Sequence, residues 1–178
     1  TPFMPRTFHI LWPRPRMIIL NHTIQCSACL SHGRFGILHN QLLAKGIDKG
    51  LVKDTEKNWT NIASNFHVAN ELEKAIHAYG KSAEKTTSGE NYLKQAELYA
   101  DTDQFNKAIA AFNNALKKGS LKDPGKAHFR KGLAYLGLKQ YNSAIGSLGQ
   151  ATKYKNWRKQ ADQWTSYVET QKKNATKL

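Results

Sequence analysis

Residues 89–123 read GENYLKQAELYADTDQFNKAIAAFNNALKKGSLKD, and this stretch decides the fold. Tyr92, Gln95, Ala96 and Tyr99 stand at i, i+3, i+4 and i+7, the stripe of one helical face. After a short polar break, Ala108, Phe112 and Ala115 mark a second stripe of the same period. Gly119 behind Lys117 and Lys118 is a helix stop, glycine accepting the reversed backbone and lysine favouring the carboxyl end of the helix dipole. The stretch is a helical hairpin.

The same hairpin lies on either side. Upstream it runs from Trp59 through Ile62, Ala63 and Phe66 to Ala75, Tyr79 and Ser82. Downstream it runs from His128 through Lys131, Gly132 and Tyr135 to Ala144, Leu148 and Ala151. Matching positions are 33 and then 36 residues apart, a period that signals a stacked repeat rather than a single bundle. Ala63, Ala96 and Gly132 in the first helices, with Ala75, Ala108 and Ala144 in the second, are small enough for paired helices to approach closely. The large residues between them fill the remaining gaps. Helix starts are expected at Asn70 with Glu73 (a capping box), at Asp103, at Asp123-Pro124 and at Asn156.

This order of large aromatic, Gly/Ala, aromatic, Ala, aromatic, Ala over about 34 residues resembles the tetratricopeptide repeat, in three units from residue 56 to about 158. The resemblance implies an all-α, right-handed α-solenoid of about three helix hairpins plus a C-terminal capping helix. The expected division is 56–88, 89–124 and 125–156 for the repeats and 157–174 for the cap, with a short tail at 175–178. Trp157, Ala161, Trp164 and Val168 form the buried face of that cap, and its other face is polar. Residues 41–55 look like the remnant of a preceding repeat and its loop. The run from Lys45-Gly46 to Lys53-Asp54 echoes Lys118-Gly119 to Lys122-Asp123.

Such solenoids commonly seat a peptide or partner helix on the surface of their first helices. Carried over by register, the expected groove consists of Lys57, Asn61 and Ser64 from the first repeat, Leu93, Lys94 and Glu97 from the second, and Lys126, Phe129, Arg130 and Leu133 from the third. Family members that grip a peptide carboxyl terminus use Lys and Asn, Asn, then Lys and Arg. Here Lys126 and Arg130 match, whereas Thr60, Ser64 and Lys94 depart, which argues against that specific ligand. Glu97, Asp101 and Asp103 crowd one helix end, a pattern that could hold a cation and more commonly is a solvated turn. His128, His67 and His77 belong to no catalytic motif, so a protein-binding scaffold without cofactor is expected rather than an enzyme.

The formal net charge of +14 favours an acidic partner. A basic helical repeat that binds nucleic acid is the alternative, though the aromatics fall at core positions rather than as stacking platforms. No apolar run approaches the length of a membrane span. All 13 acidic residues lie at or after Asp48, and four of five prolines lie in residues 1–40. That segment reads as an irregular basic leader of uncertain origin, and Thr1 in place of an initiating Met is what a fragment or a processed product would show. Cys26 and Cys29 with His22 and His32 are its weak metal candidates, since one C-x-x-C without a second pair is a thin zinc signal. Leu42 to Glu169, ending KQADQWTSYVE, also resembles the C-terminal part of a tetratricopeptide protein found with TonB/ExbB/ExbD-type systems of Gram-negative bacteria. That resemblance implies a periplasmic location, with the cytoplasm as the alternative.

Overall fold

The computed structural model describes residues 18–20, 23–25 and 33–175, with side chains from residue 37 onward. A short antiparallel ribbon pairs β1 (Ile18–Leu20) with β2 (Thr23–Gln25). Eight helices follow among the described residues: α1 (Gly33–Asp48), α2 (Glu56–Val68), α3 (Leu72–Lys85), α4 (Glu90–Asp101), α5 (Phe105–Lys118), α6 (Pro124–Gly137), α7 (Tyr141–Ala151) and α8 (Lys155–Ala175). Each helix packs chiefly on its chain neighbours, giving a right-handed α-solenoid in which α2–α3, α4–α5 and α6–α7 are the hairpins and α8 closes the stack.

The small residues lie where the hairpins need them. Ala63, Ala75, Ala96, Ala108 and Ala144 are all 0% exposed. A Cβ on Gly132 would meet Leu148 Cγ at 2.8 Å, so α6 and α7 are closer than even an alanine allows without a shift. Phe112, Ile62 and Leu148, also without exposure, fill the spaces beside them. Their cores form three clusters, one per hairpin, each continued by residues of the adjoining helix.

The turns inside the hairpins differ from the expected caps. Asn70 and Asp103 do not cap α3 and α5. They take left-handed backbone at φ 58° and 57°, and Lys139 does the same at φ 57°. Each is the reversal residue of a Schellman motif: Glu71, Gln104 and Gln140 donate their amides back to Phe66, Tyr99 and Tyr135. Asn and Asp tolerate that conformation better than most residues, so the same chemistry that suggested a helix start serves a helix end. α8 likewise begins at Lys155, which places Asn156 inside its first turn. Asp123 does cap α6, its side chain accepting from the Lys126 amide at 3.0 Å. It also accepts from the Trp157 indole at 2.8 Å and so ties α8 to the start of α6.

α1 runs across residue 40, the point where the composition changes. Leu43 and Ile47 bury against the first core cluster, and Asn65 donates to Asn40 at 3.1 Å. The match of α1 to α5 is offset from the one read in sequence. Gly50 (φ 71°), not Gly46, is the counterpart of Gly119 (φ 73°), and Gly46 lies within the helix. Aligning Lys49-Gly50 with Lys118-Gly119 brings Asp54 opposite Asp123, and both aspartates hold an indole (Trp59 Nε1 to Asp54 Oδ1 is 2.7 Å). α1 packs on α2 as α5 packs on α6, so it takes the place of a second helix relative to the hairpin that follows it.

The two ends of the α4–α5 hairpin also join, the turn before α4 meeting the turn after α5. The Gly89 amide donates to the Gly119 carbonyl at 2.8 Å, and a Cβ on Gly89 would lie 2.2 Å from the Ala115 carbonyl oxygen. Backbone cannot yield as a flexible side chain can, so Gly89→Ala is expected to cost about 1–3 kcal/mol. Gly149→Ala, in the open outer face of α7, should instead stabilise by about 0.5–1 kcal/mol through helix propensity. Urea unfolding of both variants checks the pair; equal effects would contradict the loop packing.

Candidate functional site

Neighbouring first helices touch, α4 with α6 and α6 with α8, so their side is the inner side of the stack. Three sets of contacts join these helices. Between α2 and α4, Asn91 Nδ2 donates to Thr60 Oγ1 at 3.2 Å, to Glu56 Oε1 at 3.1 Å and to Ser82 Oγ of α3 at 2.8 Å. Ser82 Oγ lies 2.6 Å from Thr60 Oγ1 and donates to the Glu56 carbonyl. Ser82, the departure from alanine in the first repeat, is thus the hub of a buried polar knot. Between α4 and α6, Lys126 Nζ pairs with Glu97 at 2.6 Å and Arg130 with Asp101 at 3.5 Å. Between α6 and α8, the Phe129 ring lies 5.0 Å from Trp157 and meets Trp164 edge-on at 6.4 Å.

The expected groove residues separate into three groups. Lys57, Asn61, Ser64 and Lys94 are exposed on one surface. Glu97, Lys126, Arg130 and Leu133 are half-buried on its continuation. Leu93 and Phe129 are not on the surface at all, at 5% and 4% exposure. The reason lies in their shared register position: Thr60, Leu93 and Phe129 all lean toward the next first helix. Thr60 bonds Asn91, Leu93 joins the cluster containing Ala127, and Phe129 goes under α8. That position builds the inter-repeat contact, and the groove floor is formed by its neighbours.

Glu97 and Asp101 are bound up in ion pairs, and Asp103 serves the turn, so these acids do not converge on a cation. Glu90, at the edge of the same face, accepts the Lys122 amide at 2.5 Å. Lys94 differs from the α6 cations. Its ammonium lies over the Tyr79 ring at 5.5 Å, and among the described residues it has no carboxylate in ion-pairing range. The Tyr79 hydroxyl is pushed up by burial, opposed by its bond to Ser64. The cysteines and histidines weighed for zinc (Cys26, Cys29, His22, His32) lie outside the described residues. No helix among the described residues is long and apolar enough to cross a membrane.

The family model of the tetratricopeptide repeat matches residues 89–117 and 125–156, the second and third hairpins. No curated protein matches the chain. Among solved structures, it is similar to the TPR2B domain of yeast Sti1 in a pHsp70 complex, at 22% identity and TM-score 0.57, over 65% of this chain and 97% of that one. It is also similar to a MamA RS-1 double mutant (14%, TM-score 0.62, 82% and 79%) and to YrrB, described as a TPR protein with an unusual peptide-binding site (22%, TM-score 0.57, 72% and 65%). At these identities the likeness is one of fold. Residues 89–117 and 125–156 match the tetratricopeptide repeat, and the described helices share the tetratricopeptide-type solenoid fold of these solved structures.

His128 takes the position of Trp59 and Tyr92 and is half-buried, stacked on Tyr154 at 6.1 Å. Burial, with the Lys131 and Lys153 charges, holds its imidazole below the usual histidine range. Its folded form therefore binds a proton less readily than the unfolded chain. The stability it confers is complete above about pH 6.5 and is lost as pH falls through the lowered folded value. Urea midpoints at pH 7.5 and pH 5 should show a drop in wild type that is smaller in His128→Tyr. An equal drop in both would assign the acid sensitivity to other groups.

Proposed function

We propose that the chain is a scaffold that binds a peptide or partner helix along the inner face of α2, α4 and α6, with an acidic group of the ligand set against Lys57 and Lys94. The observation that carries this reading is a continuous face, joined helix to helix, on which these two lysines are exposed and lack an acidic partner among the described residues. A ligand carboxylate reaching them gains charge-assisted hydrogen bonds. Asn61 and Ser64, exposed beside them, can bond a peptide backbone. The solved Sti1 domain with its pHsp70 partner and the peptide-binding site named for YrrB support the general mode. The face presents cations, amides and hydroxyls suited to holding a chain rather than transforming it, so the reading is of a binding protein and not an enzyme.

Nucleic acid suits this surface less well. Lys74, Lys107 and Lys131 cover the rings of Phe66, Tyr99 and Tyr135, so these aromatics are occupied by the protein's own cations rather than offered to bases. A finer reading, an exported accessory of a TonB-type envelope complex, rests on the resemblance of Leu42 to Glu169. Recovery of the native protein in the cytoplasmic fraction of its host would remove it.

Peptides selected by phage display against the wild-type chain test the groove. Lys94→Ala should weaken them about tenfold, the worth of one hydrogen bond to a charged group. Lys159→Ala, on the outer face of α8, should leave affinity within twofold. Equal effects would place the binding surface elsewhere.

A further inference from the structure

The cations of the inner face are unequally available. Lys57 and Lys94, at the α2–α4 end, are exposed and have no carboxylate in ion-pairing range among the described residues. Lys126 and Arg130, at the α4–α6 end, are each already matched by a carboxylate from the facing helix. Glu97 and Lys126 are the closer pair, and the Glu97 side chain is only 19% exposed. An acid of a ligand reaching Lys126 must therefore either displace a shielded protein carboxylate or lie beside it, with like charges in contact. A ligand carboxylate at Lys94 meets neither obstacle.

The geometry points to Glu97 and Asp101 as specificity determinants: they act as internal stand-ins for an acidic ligand, reserve Lys126 and Arg130, and confine acidic recognition to Lys57 and Lys94. This inference rests on the proposed use of the inner face and adds a direction to it. A bound segment carries its acidic group toward the α2–α4 end and a neutral or apolar stretch toward α6, where Leu133 and Leu136 are half-buried against the third core cluster. The two ion pairs also act as a filter. Without them, four cations in a row would attract any polyanion.

Fluorescence anisotropy with fluorescein-labelled hexaglutamate at low salt tests this on the full chain. Wild type should bind weakly, with Lys94→Ala reducing affinity several-fold and Lys126→Gln/Arg130→Gln changing it less than twofold. Glu97→Gln/Asp101→Asn should tighten binding about tenfold and make it dependent on Lys126 and Arg130. Failure of that double variant to tighten binding, at unchanged helicity by circular dichroism, overturns the proposal. So does a loss in wild-type affinity on replacing Lys126 and Arg130 as large as that from Lys94→Ala. If the double variant tightens as expected while Lys94→Ala has no effect in wild type, the reserving role of Glu97 and Asp101 stands and the placing of the acid at Lys94 falls.

Discussion

The structure depends on the close approach of two helices within each hairpin. A side chain larger than methyl at residue 63, 96, 75, 108 or 144 would push the helices apart, because each of these alanines has no exposure to yield into. Once the helices are that close, aromatic and aliphatic residues one turn away reach across and fill the core. Hairpins of one shape then stack with one offset, and the inner face follows as a consequence of repetition. A surface built this way is stiff where it matters, since each exposed residue is carried on a helix buried on its other side.

The joints between repeats are chemically different from one another. α2 and α4 are joined by a hydrogen-bonded knot around Ser82 and Asn91, α4 and α6 by two ion pairs, and α6 and α8 by tilted and edge-on aromatic rings. The polar knot is satisfied from several sides, which is what makes burying those groups tolerable. The ion pairs sit at the edge of solvent, where their contribution to stability is small. Their effect is on charge: they neutralise the third repeat's cations and leave those of the first two exposed. The +14 of the whole chain is thus not spread evenly over the inner face.

Much of the candidate site could be read from register alone. Lys57, Asn61, Ser64 and Lys94 are exposed and Lys126 and Arg130 half-buried, as residues off the buried helical stripe should be. The misplacements share one cause. Leu93 and Phe129 occupy a position whose direction depends on the next helix, and the helical period says only that they leave the axis on the inner side. Asn70 and Asp103 satisfy the composition of a helix start and adopt the backbone of a helix end, because the same residue types serve both. The ion pairs of Glu97 and Asp101 had a trace in sequence, since acids one turn apart on one first helix face cations one turn apart on the next.

By itself the sequence determined that helices form, that they come in pairs every 33 to 36 residues, and that the small residues lie between them. Those are consequences of local periodicity and side-chain volume, which neighbouring residues carry without help from the rest of the chain. Only the tertiary structure decided which inner-face charges are free, how α1 aligns with α5 through Gly50, and that Phe129 is covered by α8. These depend on distances between residues about 30 apart on different helices. A shift of one helix by a single turn would exchange one partner for another while leaving the sequence pattern unchanged.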